Sequence, residues 1–412
     1  MAFRTNTKQL ISKAEGSFGA FANPIDHTIT GTLATIGTPV KQNVRLMEVE
    51  FSIEPESEST TFLTGTAAQS YDLIGKKPGK LSYSMLIAPG EFVKDTTGDI
   101  ANTHLFEGID FWNSVGCEVV AIKDPLVSDA LYSYPMKYVV YPTVDAWEKS
   151  MSQTGIVKNT SNGKGYGQDF YGVMGNGIIS TGGVGKPISL KIEAQGGTGA
   201  DTYDIIAGAT GMDKIVFDPA NIIKTVANKY LDATITITEN SGTTPKTITV
   251  CTNTFELNMG NEMKEVECQG TASGIQGSTI VNAKPTMKFN PFLTSKSDFD
   301  WFKGLVNEAT YEISIVFNDT NTADNSDYVP MEIFIPNAQM KANKMVDDGG
   351  LMRVDVEWTL LGNWEEKLPL VEYQLDADGS DVVWTPTTGA LATRPWESPF
   401  ILVFAEDYFK NI

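Results

Sequence analysis

Carboxylates are the residues in this chain with the most chemistry to offer. Glu48, Glu50, Glu54, Glu56 and Glu58 fall within one short stretch, and clustered carboxylates suit hard cations. An EF-hand loop needs a fixed ligand spacing around a central glycine, which this stretch lacks, so a solvated acidic face is the simpler expectation. Paired carboxylates also serve glycoside hydrolysis, which keeps a carbohydrate-binding or hydrolytic β protein as one alternative. Histidine offers little: His27 and His104 are the only two, thin material for imidazole metal sites or Ser-His-Asp triads. No HExxH, GxSxG or Cys-His cluster occurs. Thr181-Gly182-Gly183-Val184-Gly185-Lys186 ends like a phosphate-binding loop. Ser180, however, stands where the first glycine is required, and Pro187 where magnesium needs a Ser or Thr. The glycine-dense stretch is therefore expected to be a flexible surface excursion. Cys117, Cys251 and Cys268 are odd in number and show no CxxC spacing, which argues against a disulfide framework or a zinc site. No catalytic residue, metal or cofactor is expected.

Charge narrows the partners. Over 412 residues, 31 Lys and Arg face 51 Asp and Glu, a net charge of −20. A field of that sign repels phosphate, because nucleic-acid binding needs Lys and Arg that displace counterions. A DNA-binding protein is disfavoured; a surface past which DNA slides is not. A hydrophobic share of 41% with 20% charged residues fits a folded chain, and the length predicts about two domains. Met1-Ala2-Phe3-Arg4-Thr5-Asn6 lead into polar sequence without the apolar centre of a secretory signal. No apolar run nears the roughly 20 residues that span a bilayer. The expected compartment is the cytoplasm of a producing cell, with no membrane partner.

The elements that must position these carboxylates read mostly as strands. Met47, Val49, Phe51 and Ile53 alternate with Glu48, Glu50, Ser52 and Glu54, the pattern of a half-buried strand with its carboxylates on one face. Phe255, Leu257 and Met259 alternate with Glu256 and Asn258. Ile188, Leu190 and Ile192 alternate with Ser189, Lys191 and Glu193, and Val354, Val356 and Trp358 with Asp355, Glu357 and Thr359. Further strands are expected at Leu81–Ile87, Glu118–Lys123, Lys137–Tyr141, Thr286–Asn290, Tyr311–Asn318 and Met331–Pro336. Asp347-Asp348-Gly349-Gly350 reads as the turn before a strand at Leu351–Leu361. Two helices are expected. One covers Leu105–Val115; the other is capped by Ser295 or Ser297 and buries Phe299, Phe302, Leu305 and Val306. Trp112, Trp301 and Trp358 are expected in the core. Between the first long strands of each half lie polar stretches, Pro55–Lys80 and Gly260–Lys284, that still carry Phe62, Leu63, Tyr71, Leu73 and Ile74, or Ile275, Ile280 and Val281. Loops of that length are unusual in compact domains, and apolar residues on a projecting loop imply a partner that covers them.

The chain also repeats itself. Ala22-Asn23, Thr38-Pro39, Phe51-Ser52-Ile53-Glu54, Gly65-Thr66-Ala67-Ala68 and Lys77-Pro78 recur in the same order as Ala227-Asn228, Thr244-Pro245, Phe255-Glu256-Leu257-Asn258, Gly270-Thr271-Ala272-Ser273 and Lys284-Pro285, each roughly 205 residues on. Asp110-Phe111-Trp112 parallels Asp300-Trp301-Phe302, and Tyr134-Pro135-Met136 parallels Val329-Pro330-Met331. The closing alternation at Ile188–Gly196 parallels Val354–Gly362. Two copies of one α+β, β-dominated fold are expected, over 1–205 and 206–365. An insertion at about 143–186 sits in the first copy, and a C-terminal extension covers 366–412.

This order of elements resembles the tail tube proteins of siphophages, the phages with long non-contractile tails. Shared are the acidic alternating strand, the long loop, the Lys-Pro-led strand, the helix with a Phe/Trp pair, and the final alternating strand ending in Gly. The resemblance spans most of both copies and resembles the minority of these proteins in which two tube domains are fused. It implies a β-sandwich or barrel domain in tandem, three chains closing a pseudo-hexameric ring, and rings stacking into a hollow tube. Neighbouring sheets would join edge to edge, which removes open strand edges. Glu48, Glu50, Glu54, Glu256, Lys191, Glu193, Asp355 and Glu357 become the candidates for the lumen. The two long loops, with Phe62, Leu63, Tyr71, Leu73, Ile74, Ile275, Ile280 and Val281, would contact the adjacent ring, and Phe400–Tyr408 could add contacts between subunits. The implied partners are the chain itself, a tape measure protein, tail-end proteins and viral DNA in passage. The implied location is the virion, after assembly in the host cytoplasm. Another self-assembling tail part, such as a terminator, baseplate hub or decoration protein, is the nearest alternative.

Overall fold

The structure is a computed structural model that describes residues 8–22, 46–64, 67–87, 91–94, 100–105, 109–123, 135–158, 165–199, 203–205, 233–240, 246–271, 273–296, 298–307, 309–317, 331–362 and 397–405. Strands dominate. In chain order, β1 (Lys8–Ala14), β2 (Leu46–Ile53), β3 (Ser57–Thr64), β4 (Ala67–Ile74), β5 (Gly79–Leu86), β6 (Glu91–Lys94) and β7 (Ile100–Leu105) precede helix α1 (Ile109–Ser114). Then come β8 (Cys117–Lys123), β9 (Pro135–Pro142), β10 (Met151–Lys158), β11 (Gly165–Thr181), β12 (Ile188–Thr198) and β13 (Tyr203–Ile205). β14 (Ala233–Glu239), β15 (Thr247–Val250), β16 (Thr252–Asn258), β17 (Asn261–Glu267), β18 (Ile275–Ala283) and β19 (Thr286–Pro291) lead to helix α2 (Lys303–Asn307). β20 (Thr310–Phe317), β21 (Met331–Asp348), β22 (Leu351–Leu361) and β23 (Ile401–Ala405) complete the described chain.

Seventeen strands form one antiparallel network, and β3–β4, β6–β7 and β17–β18 stand as separate hairpins. The network folds into two layers. One layer runs β2-β5-β12-β11-β16-β19-β22-β21 without a break. The other holds β1-β10-β11 on one side and β15-β14-β20-β21-β23-β9-β8 on the other. β11 and β21 belong to both layers. Their first halves pair with β10 and β20, their second halves lie in the eight-stranded layer, and the register of each shifts at a bulge on the way. Bulges bend strands, which is how one strand serves two layers. As a result the orders β1-β10-β11-β12-β5-β2 and β14-β20-β21-β22-β19-β16 both occur.

The buried face of the eight-stranded layer carries the alternating apolar residues expected of it, among them Tyr83, Leu190, Ile192, Leu257, Met287, Val356 and Trp358. One core runs through both halves. Aromatic contacts join the layers: Phe51 meets Phe170 at 6.0 Å, and Tyr311 meets Trp358 edge-on at 5.2 Å. Each such side chain, fully buried, stabilises by about 1.5–3 kcal/mol.

Several expectations need correction. The stretches Pro55–Lys80 and Gly260–Lys284 are not loops; they are largely the hairpins β3–β4 and β17–β18. Residues 143–186 are not a peripheral insertion or a flexible excursion. They supply β10 and β11, with Phe170, Val173, Met174 and Ile179 wholly buried; among the described residues the exposed ones are concentrated in the turns at 144–149 and 182–186. The first helix is shorter than expected, and Leu105 ends β7. The second starts later, because Asp300 Oδ1 accepts the Phe302 and Lys303 amides at 3.1 and 3.2 Å and caps it there. Ser295 caps only the preceding turn. Phe299 and Trp301 are buried ahead of that helix, while Phe302, Leu305 and Val306 face outward. The described part of the C-terminal segment, residues 397–405, is no external arm. β23 inserts between β21 and β9, with Phe400 through Phe404 at most 1% exposed.

Candidate functional site

The eight residues expected to line a lumen share one face of the eight-stranded layer. Glu50, Ser82, Glu193 and Asn176 form one row across β2, β5, β12 and β11. Ser180, Glu256, Lys288 and Glu357 form another across β11, β16, β19 and β22. Lys191 lies one row from Glu193, and Asp355 pairs with Lys344 of β21. Glu54 follows β2 and binds Lys80 at 2.5 Å. None of the eight is buried. Between these charges stand Ser82, Ser84, Asn176, Asn258, Thr286 and Thr359, so the face is polar along its whole width.

Glu48 reaches this face by a different route from the expected alternation. It adopts φ 54°, uncommon for a residue with a Cβ, at a bulge where Glu48 and Val49 together oppose Tyr83. The bulge reverses the phase of the strand. Met47 therefore pairs with Ser84 on the polar face and is 37% exposed, while Val49 alone of its group is deeply buried.

The face is interleaved rather than uniformly acidic. Lys191 donates to Glu193 at 2.6 Å, and Lys341 donates to Glu357 at 2.9 Å. The bond to Glu193, with Glu48 and Glu50 adding to it, holds the Lys191 ammonium above its ordinary pKa against partial burial. The Lys341 bond holds the Glu357 carboxyl below its ordinary value; partial burial opposes this, and Lys288 assists. The geometry can present hydroxyls, amides and neutralised charge pairs over a wide surface.

The two ends of this layer differ from its middle. In the middle, β16 pairs along the second half of β11, matching Ile178, Ile179 and Ser180 with Asn258, Leu257 and Glu256. The corresponding edge of β21, beyond its pairing with β20, has no strand partner among the described residues. Nor does the edge of β2 that faces away from β5.

The middle junction is reinforced by β17–β18, which rises between β16 and β19 and lies across β11 and β12. Asn261 Nδ2 donates to the Val115 and Gly175 carbonyls at 2.7 and 3.0 Å, and its amide donates to Asn176 at 3.0 Å. Tyr171 and Ser273 share a hydroxyl hydrogen bond of 2.8 Å. Gly172 (φ 57°) and Gly277 meet backbone to backbone; a Cβ on Gly172 would stand 2.4 Å from the Gly277 Cα. A second clamp was not foreseen from sequence. The Glu15 carboxylate accepts from the Gly19 and Gly172 amides and from the Ser150 and Ser152 hydroxyls, at 2.5 to 2.8 Å. The glycines at 165, 167, 172, 175 and 177 were the available signal, since Gly in a strand often marks close approach of another backbone.

The expected contact residues on the two hairpins divide. Ile275 and Ile280 are buried within the chain at the middle junction, so they are not surface contacts. Leu73, Ile74 and Val281 are 49%, 64% and 47% exposed. The side chains of Phe62, Leu63 and Tyr71 lie outside the described residues, as does His27. Cys117 is buried, and burial pushes its thiol up well beyond the usual range, which makes it unreactive.

No protein-family model matches the chain, and no curated protein matches it.

Proposed function

We propose that this chain is the repeating structural subunit of a hollow tube, the tail tube of a siphophage-like virion, built from stacked rings of three chains. One observation carries the reading: a single eight-stranded sheet gathers the candidate lumen residues on one face, with Glu54 just past its end, and among the described residues it ends in two open edges of complementary type. The two strand orders given above support a duplicated domain. On that alignment β1, β10, β11, β12, β5 and β2 correspond to β14, β20, β21, β22, β19 and β16. The extra elements of the first copy are then the β6–β7 and β8–β9 hairpins, not residues 143–186, and the match of Tyr134-Pro135-Met136 to Val329-Pro330-Met331 is fortuitous.

The open edges matter because of what joins in the middle. β11 and β16 form a junction between an edge of the β21 type and an edge of the β2 type. The same junction can be repeated between chains, β21 of one to β2 of the next. A heterologous contact of this kind either closes a ring or grows without end. Three chains would close a barrel of about 24 strands, wider than the 16- to 18-stranded barrels that already leave an aqueous channel. The polar face would line its bore, viral DNA would pass through it, and the tape measure and tail-end proteins would meet it at the ends.

Electron microscopy of the purified chain tests the reading. Long hollow tubes of uniform bore, with threefold rotational symmetry, are expected. Monomers or isolated rings under every assembly condition, or glycan turnover lost on replacing one carboxylate pair, would overturn it.

A further inference from the structure

Two apolar patches in this chain lack a cover among the described residues, and the middle junction shows what covers such patches. The first is on α2, where Phe302, Leu305 and Val306 are 42%, 38% and 80% exposed. The second is at the base of the β3–β4 hairpin, where Ile53, Leu73 and Ile74 are 38%, 49% and 64% exposed. Neither makes sense as plain surface. Side chains of this size at adjoining helical positions usually face a core, and contiguous exposed apolar groups mark an interaction site.

At the middle junction the corresponding elements meet. The β17–β18 hairpin, which occupies the place of β3–β4, sets its base against the chain just after α1. Asn261 bonds the Val115 carbonyl there, and a Cβ built on Gly116 would meet the Ile280 methyl at 2.8 Å. Thr279 donates to the Trp147 carbonyl nearby. Ile280 is accordingly buried. The turn just after α1, at Val115 and Gly116, thus has a hairpin from the other half of the chain against it; among the described residues α2 has no such hairpin, and β3–β4 has no such turn to cover.

We infer that the α2 patch of one chain and the β3–β4 base of a second chain are the two halves of one head-to-tail contact, the intermolecular counterpart of the contact that the turn after α1, Val115-Gly116, makes with β17–β18. The inference rests on the self-assembly proposed above and adds its polarity and its anchoring side chains. Each chain then carries one donor patch and one acceptor patch, and joining them buries both while the β21 and β2 edges pair alongside. It also accounts for the shortness of α2, which needs only to present Leu305 and Val306.

Single chains carrying Val306→Asp or Ile74→Asp test this, because both residues are too exposed for the changes to disturb folding. Thermal melts should match the parent chain, and size-exclusion chromatography with light scattering should show each variant alone as a monomer. An equimolar mixture should form a heterodimer and nothing larger, since the first variant retains an intact hairpin and the second an intact helix. If the parent builds tubes and both variants build them equally well, or if the mixture stays monomeric, this contact is wrong while the tube reading stands. If the parent itself never associates, the tube reading falls first.

Discussion

At the scale of single residues, the junction between the two halves is set by side chains that are absent as much as by those present. Gly172 holds φ 57° and touches Gly277, a conformation and an approach that only glycine tolerates without strain. Gly172→Ala is expected to push β18 off β11, at a cost of about 1–3 kcal/mol for overpacking. Hydrogen exchange should report this as faster exchange at Ile275 and Ile280 than at Trp358, which lies in the core of the second half. Equal exchange at both would mean that the glycine contact does not hold the hairpin. The Glu15 clamp binds Gly172 from the other side, so one glycine links the N-terminal segment to the hairpin. None of this chemistry is acid–base or nucleophilic. On the polar face Lys80, Lys191 and Lys341 are bonded to Glu54, Glu193 and Glu357, and the buried Cys117 lies 3.9 Å from the Met259 sulfur.

At the scale of elements, legibility followed periodicity. β5, β19, β20 and β22, which largely alternate, and β8 and β9, which are short apolar runs, stand where the sequence predicts them, as does the Gly349-Gly350 turn with its two positive φ angles. β21 was expected to stop at Pro336 and continues to Asp348. Pro336 falls where the pairing with β20 changes register, a place where a strand can spare an amide. The next residues, Asn337 to Lys344, show little alternation because the strand is changing layers there. β11 was hidden for a similar reason, its glycines being required by close packing rather than by flexibility: Gly172 against β18, Gly175 against β12, and Gly177 against Met259 and Leu190. The apolar spacing around α2 was read correctly as a pattern but assigned to the wrong partner, since a helix face can be apolar without facing its own core. β23 could not be foreseen, because strand insertion depends on an edge left open by β9 and β21, far away in sequence. It leads to a sharp expectation. Phe400, Leu402 and Phe404 each contribute about 1.5–3 kcal/mol by burial, together comparable with the 5–15 kcal/mol that holds a typical domain folded. A chain ending at residue 396 should therefore lose its cooperative melt in circular dichroism. An unchanged melt would show that β23 is an accessory.

At the scale of the whole molecule, the proposed tube raises the question of how a surface with so many charges would let DNA pass. Net charge of −20 supplies long-range repulsion, but repulsion falls off within about 8–10 Å at physiological salt, and the polar face itself carries lysines. What keeps those lysines from gripping phosphate is their local pairing: Lys191 with Glu193, Lys80 with Glu54, and Lys341 with Glu357. A lysine already bonded to a carboxylate brings little net charge with which to neutralise a phosphate and displace the counterion condensed on the DNA, so it gains little from the contact. Removing one carboxylate should thus turn a passive wall into a binding one. Glu357→Gln leaves Lys341, and Lys288 beside it, without the charge that neutralises them. The substitution is nearly isosteric at a position facing solvent, so assembly should be unaffected. Assembled particles of the variant are expected to retain duplex DNA at low salt where the parent does not. Each lysine freed should add about 0.9 to the slope of log affinity against log salt. Filter binding across a salt series measures this directly. A variant that binds no better than the parent would mean that the face carrying Glu357 does not line the bore, even if the tube itself forms as proposed.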